Sequence, residues 1–285
     1  MEFFIVDAFT SEPFGGNPAG VVILEHGQPF PPDERMRLLA AELRYSETAF
    51  VRPEAPHEFT TRYFTPRAEV DLCGHATIAT FGVLLARGTV ARGDTCLNHT
   101  LAGDLTVTAG DTVLMQMAAP TVIPTPVDVE RLHRVMGVDD DGRHPSLPVE
   151  IISTGLPDII MPVATVDALH ALRPDMDALA DLSRELAVTG VHAFTIADDG
   201  FTAHTRNFGP LYGVPEEAAT GTASGALTHY LRRRGLISNP ATCHFVQGEA
   251  MRRRSIIETR LAADGDITVG GRCCLLARGT LLPAL

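Results

Sequence analysis

CGHATIATFGVLLARG (73–88) and TGTASGALTHYLRRRG (220–235) decide how this chain folds. Gly74, Ala76, Leu84, Arg87 and Gly88 of the first stretch recur at one constant offset as Gly221, Ala223, Leu231, Arg234 and Gly235 of the second. Each stretch opens on small residues and closes on glycine, a natural C-terminal stop, so the pattern predicts helices over 75–87 and 221–234. The first is apolar nearly all round, which predicts burial on every side.

The repetition extends outward from these two helices. GGNPAGVVIL (15–24) is matched by TGLPDIIMPV (154–163). Leu39-x-x-Glu42-Leu43 followed by Ala49-Phe50 is matched by Leu182-x-x-Glu185-Leu186 followed by Ala193-Phe194. Arg62-x-Phe64-x-Pro66 is matched by Arg206-x-Phe208-x-Pro210. The matches keep one order, and a unit of half a chain is an internal duplication, not a solenoid of ~20–50-residue repeats. Val-, Ile- and Phe-rich runs predict strands at 2–9, 19–24, 48–52, 58–65, 95–100, 104–109 and 112–117. After a Pro-rich stretch at 118–128, read as a linker, strands are expected at 149–154, 158–163, 192–197, 200–208, 242–247, 255–262, 266–270 and 272–278. Two further helices fit 33–44 and 175–187. The expectation is an α+β chain of two pseudo-symmetric halves, 1–118 and 119–274, each a mixed sheet or open barrel around a central helix. A C-terminal strand, 275–285, would pack back onto the first half.

Composition narrows the function. The chain has 285 residues and a formal net charge of -12. Phosphate backbones and anionic membranes repel such a chain, so neither nucleic acid nor membrane is an expected partner. The five cysteines are odd in number and scattered, without Cys-x-x-Cys, which argues against a disulfide framework and fits a reducing cytoplasm. No His pair has metal-ligand spacing on a helix, and no P-loop or dinucleotide glycine motif follows a strand. GTASG (221–225) is not a nucleophile elbow, because its serine comes one place late. Arg232–Arg234 and Arg252–Arg254 read as solvated faces. No metal and no cofactor is therefore expected.

The small-residue turns Cys73-Gly74-His75-Ala76-Thr77 and Thr220-Gly221-Thr222-Ala223-Ser224 carry the chemistry. The first N–H groups of a helix lack internal partners and the helix dipole adds positive charge, so each turn is a candidate carboxylate site. Related by a pseudo-twofold, the two could face one cleft. Glu47 follows a helix and opens a strand; its counterpart in the second half falls near Gly190 or Val191, neither acidic. In an apolar setting such a carboxyl suits proton abstraction and return, although a glutamate at such a junction is also commonly just solvated. His75, at a helix start, is disfavoured as a cation and suits neutral hydrogen bonding. Glu217 could bind a substrate amine or hydroxyl, or be a solvated loop charge. Asn17 could offer its amide or simply serve the Asn-Pro turn, and Cys73 could be only a small buried residue.

The segments FFIVDAFTSEPFGGNPAGVVIL, YSETAFV, DLCGHAT and YGVPEEAATGTASGAL resemble the phenazine-biosynthesis PhzF family over essentially the whole chain. The resemblance implies the diaminopimelate epimerase-like fold and a cofactor-independent isomerase, with dihydro-hydroxyanthranilate isomerisation as prototype. It implies a small-molecule carboxylate substrate and a homodimer. The family's acid/base glutamate falls on Glu47 and its histidine on His75. Its usual Glu-Asp-Pro-Ala-Thr-Gly-Ser-Ala reads Glu216-Glu217-Ala218-Ala219-Thr220-Gly221-Thr222-Ala223 here. Its catalytic-site aspartate thus falls on Glu217, with Asn17, Cys73, Gly74, Ala76, Thr220, Gly221, Thr222 and Ala223 as substrate-binding positions. A longer acid at 217 implies a different substrate. The superfamily's racemases place a cysteine in each turn; here Thr220 stands opposite Cys73, and threonine forms no thiolate. A binding protein without turnover, and an epimerase using Glu47 with Cys73, remain the alternatives.

Overall fold

The N-terminal stretch pairs on both sides. β1 (Glu2–Ala8) lies antiparallel to β2 (Asn17–Ile23) and to the last strand, Cys273–Thr280. The computed structural model describes residues 1–282 and divides into two units. The first is Met1–Gln116 with the chain from Gly270 onward; the second is Met117–Val269. Residues 283–285, the end of the expected C-terminal strand, lie outside the described residues.

The first unit continues through α1 (Asp33–Leu43), β3 (Thr48–Ala55), β4 (Glu58–Phe64), β5 (Glu69–Val70), α2 (Gly74–Ala86), β6 (Thr95–Thr100), β7 (Gly103–Thr108) and β8 (Val113–Gln116). β2 runs parallel to β3, β3 antiparallel to β4, β4 antiparallel to β5 and parallel to β6, and β6 antiparallel to β7. The second unit contains β9 (Thr121–Ile123), α3 (Val129–Met136), β10 (Glu150–Ser153), β11 (Pro157–Pro162), α4 (Val166–Ala171), α5 (Met176–Leu186), β12 (Gly190–Thr195), β13 (Ala203–Gly209), β14 (Val214–Glu217), α6 (Gly221–Arg233), β15 (Ala241–Gln247) and β16 (Ser255–Leu261). β17 (Ile267–Gly271) and β18 (Cys273–Thr280) close the chain. β9 is antiparallel to β10, β10 to β11, β12 to β13, β13 to β14 and β15 to β16, while β11/β12 and β13/β15 are parallel. Strand for strand, this repeats the pairing of the first unit.

Alternation within the strands separates two faces. In the first unit Val22, Phe50 and Phe64 pack with Met36 and Ala40 of α1. The residues between them face α2, which is buried from His75 through Leu84. A Cβ at Gly82 would stand 2.8 Å from the Cβ and Sγ of Cys273, so the helix meets its sheet there too closely for any side chain. In the second unit Ile151, Ile159, Met161, Val191, Ala193 and Phe208 pack with α3, α4 and α5. The opposite face meets α6, as the Phe194–Tyr230 ring contact shows.

The stretch 118–128, read as a linker, contains β9: its Thr121–Ile123 segment joins the edge of β10, a β-branched trio that the flanking prolines had masked. α3 and α4 were not expected. They are short helices stopped within two turns, capped by Asp128 and Thr165, and they owe their stability to packing on the sheet.

Candidate active site

A buried polar chain holds the start of α2. Thr77 gives its hydroxyl proton to the Cys73 carbonyl at 2.8 Å, so Tyr63 donates to Thr77 at 2.6 Å. Asn98 donates to the Tyr63 oxygen at 3.2 Å, and Thr61 donates to Asn98 at 2.6 Å. The duplicated arginines hold the approach to each helix. Arg62 grips Glu69 at 2.7 and 2.6 Å, and Arg206 grips Glu216 at 2.8 and 2.9 Å. Arg206 also donates to the carbonyls of Leu169 and Leu172, at 3.0 Å each.

At the head of α2 lie Glu47, His75 and Cys73. Arg44 ends α1 in the left-handed conformation, and the chain turns through Ser46 into β3. The Glu47 Oε2 then stands 3.3 Å from His75 Nε2, and Ser46 Oγ is also 3.3 Å from that nitrogen. Cys73 Sγ lies 3.4 Å from His75 Nδ1. Burial of the imidazole lowers the His75 pKa, and the opposing pull of Glu47 is weaker. His75 is therefore neutral at pH 7. With Nε2–H directed to the carboxylate, Nδ1 accepts from the Cys73 thiol. The glutamate oxygen, thiol sulfur and imidazole nitrogen lie within 4.8 Å of one another, a donor set that could hold a thiophilic divalent ion. Gly74 and Ala76 complete this turn. Asn17 opens β2, buried, behind a turn whose Gly16 has φ +61°.

The second unit has its own constellation. Glu217 ends β14, and its Oε2 accepts the Thr220 hydroxyl proton at 2.6 Å. Gln247 ties this corner together. Its Nε2 donates to the Glu217 carbonyl at 2.8 Å and to Thr220 Oγ1 at 3.0 Å, and its Oε1 accepts the Thr220 N–H at 3.2 Å. Gly221, Thr222 and Ala223 form the first turn of α6, with the Thr222 carbonyl held by Thr154 at 2.8 Å. Ala218, where the family pattern has proline, is buried, and its carbonyl accepts from Ser255 at 2.7 Å. Thus Asn17, Glu47, Cys73, Gly74, His75 and Ala76 belong to the first unit, and Glu217 and Thr220–Ala223 to the second. Sequence reading missed Ser46, which is adjacent to Glu47. It also missed Gln247, which ends a strand with nothing to mark it.

The sequence profile described as phenazine biosynthesis-like protein matches residues 6–279. The chain belongs to the PhzF family. An uncharacterized isomerase of Deinococcus radiodurans is 36% identical, with 98% of this chain and 93% of that protein covered. A trans-2,3-dihydro-3-hydroxyanthranilate isomerase of Pseudomonas fluorescens is 30% identical, with 98% and 99% covered. The crystal structure of a Bacillus anthracis phenazine biosynthesis protein of the PhzF family superposes with a TM-score of 0.88 at 26% identity, with 99% of each chain covered. A probable proline racemase from Agrobacterium radiobacter shares the fold, with a TM-score of 0.64 at 15% identity and 98% of this chain and 92% of that one covered. This PhzF-family protein is an isomerase with the diaminopimelate epimerase-like fold. Among its described residues no helix is long and apolar enough to cross a membrane.

Proposed function

We propose that this PhzF-family isomerase shifts a proton, and with it a double bond, on a small cyclic or amino-acid-like carboxylate, with Glu47 as its single acid/base. The observation that supports this is the carboxylate of Glu47 held 3.3 Å from a buried, neutral imidazole at the head of α2. The Glu47 carboxylate takes a proton from one substrate carbon. The electron pair left behind moves the double bond, and the same carboxyl returns the proton to another carbon. Atoms and electrons balance within the substrate, so the scheme needs no cofactor. His75, donating to Glu47, orients the carboxylate.

Glu217 would receive a substrate amine or hydroxyl, and the first turns of α2 and α6 would favour carboxylate oxygens. The Pseudomonas fluorescens relative supports trans-2,3-dihydro-3-hydroxyanthranilate as the first substrate to try. Glu217, Ala218 and Thr222, which depart from the family pattern, support a variant of that substrate.

An epimerase using Glu47 with Cys73 is disfavoured by distance. Two bases that invert one carbon sit on opposite sides of it, each about 3–3.5 Å away and so roughly 6–7 Å apart. Here the donor atoms lie within 4.8 Å. The reading includes a cytoplasmic homodimer, checked by sedimentation of the purified chain. Incubation in D₂O with dihydro-hydroxyanthranilate and a panel of cyclic and amino acids, followed by NMR, tests the chemistry. Deuterium at a carbon together with a shifted double bond supports it; deuterium with inversion and no shift points to an epimerase.

A further inference from the structure

We infer that Asp158 is a further substrate-binding residue, a neutral carboxylic acid at the head of α6 that donates its proton in a hydrogen bond to a carboxylate oxygen of the ligand. The inference rests on the reading of this fold as a carboxylate isomerase, and deepens it by naming what the second unit recognises.

Register places Asp158 at a position equivalent to the neighbour of Glu47. In the first unit Gly20 pairs with Thr48, and Thr48 with Phe64; in the second Ile159 pairs with Val191, and Val191 with Phe208. Phe64 and Phe208 are the duplicated phenylalanines, so Gly20 corresponds to Ile159 and Thr48 to Val191. One step back, Ala19 corresponds to Asp158 and Glu47 to Gly190, and Asp158 does pair with Gly190. The first unit carries its acid on one strand of the parallel pair and the second unit carries it on the other. Gly190 could not take a side chain, since a Cβ there would stand 1.9 Å from the Phe208 carbonyl oxygen.

The side chain faces α6 near its first turn. Ile159 and Met161 of β11 point to the other core, so Asp158 points to the α6 face. At one end of β10, Glu150 pairs with Arg233 and with Arg234, the residue that caps the end of α6; just past the other end, Thr154 holds the Thr222 carbonyl in the first turn. Asp158 lies opposite Ile152, toward that second end.

Asp158 is 1% exposed, and neither carboxyl oxygen has a hydrogen-bond partner among the described residues. An unpartnered buried carboxyl is costly, and a position that retains one points to a partner supplied from outside. The groups around it indicate the partner's sign. Ile152 of β10 and Gly190 of β12 carry no charge. His192, two pairs further along β12, is held neutral by burial, with its pKa pushed down to about 4. The first turn of α6 has no acidic residue, and among the described residues Glu217 of β14 is the one charge that acts on Asp158. Burial first, and Glu217 second, push Asp158 up to about 8, so it is protonated at neutral pH. Glu217 already accepts from Thr220. The first bond within α6 runs from Ser224 N to Thr220 O, and Thr220 does not cap the N–H groups before it. The demand at this helix start is therefore for an acceptor, and a ligand carboxylate fits it.

Calorimetric binding of anthranilate, a small cyclic amino acid with a carboxylate, tests this beside Asp158→Asn and Asp158→Ala, with anthranilamide as the control lacking the carboxylate. Asparagine keeps a neutral donor. At pH 7 Asp158→Asn binds anthranilate as wild type does, and Asp158→Ala binds it roughly tenfold more weakly, the loss of one hydrogen bond to a charged group. Wild-type affinity falls as pH rises through about 8, where the donor becomes an anion, and Asp158→Asn removes that fall. Anthranilamide binding responds to neither change. Infrared spectra of wild type at pH 7 show a protonated carboxyl that Asp158→Asn lacks, a readout that needs no variant to bind. The same pH profile in wild type and Asp158→Asn, a wild-type affinity that does not fall above about 8, a missing carboxyl band, or no anthranilate binding by wild type overturns the inference. Predicted binding without any deuterium exchange would instead overturn the isomerase reading alone.

Discussion

Replacing Glu47 by Gln removes the proposed acid/base while leaving nearly everything else in place. The side chain keeps its length, and its amide oxygen can still accept from His75 Nε2, now 3.3 Å from the carboxylate. The Glu47 side chain is 17% exposed, so the fold loses at most one partly buried charged contact, worth about 1 kcal/mol or less after solvent screening. The chemistry loses far more. An amide does not take a proton at neutral pH, and a positioned general base is worth about 10²–10⁴ in rate, or about 3–5 kcal/mol of barrier. Solvent deuterium incorporation, followed by NMR with the best substrate of the panel, measures that rate. Thermal unfolding of both proteins measures the control. We expect exchange to fall by at least about a hundredfold with the melting temperature nearly unchanged. Exchange within a few-fold of wild type would refute the assignment, because no second group then needs Glu47 to move the proton.

Three further outcomes follow from the framework. Arg206→Ala strands Glu216 and the Leu169 and Leu172 carbonyls in a largely buried site, and should cost about 3–5 kcal/mol in denaturant unfolding. Arg62→Ala, at the more exposed equivalent, should cost clearly less; equal costs would show that burial does not set the difference. Gly16→Ala forces a side chain into φ +61° with its Cβ 2.1 Å from the Ala8 carbonyl, and should cost at least about 1–2 kcal/mol from the left-handed backbone alone, so an unchanged midpoint counts against the strain. Gln247→Leu leaves the Thr220 N–H and the Glu217 carbonyl without their amide partner, and should raise KM more than it lowers kcat; an unaffected KM would separate this corner from binding.

Local sequence determined the duplication and the two central helices. Gly74/Gly221, Ala76/Ala223 and the closing glycines are backbone requirements, legible wherever they recur, and the apolar 75–87 stretch can only be buried. Glu47 and His75 were marked by the motifs around them. Other features have only a weak local signature or none. The short helices α3 and α4 are stabilised by a sheet that the sequence does not display. Gln247 reaches Thr220 only because β15 lies parallel to β13, which brings its end to that corner. Asp158 looked like one polar residue in an apolar run. Only the register of β11 against β10 and β12 shows that it faces α6, unpartnered, one strand over from the equivalent of Glu47. Backbone conformation and helix periodicity are properties of neighbouring residues, so sequence alone determines them. The charge state of a buried acid depends on groups brought together across strands, and that is decided only by the tertiary structure.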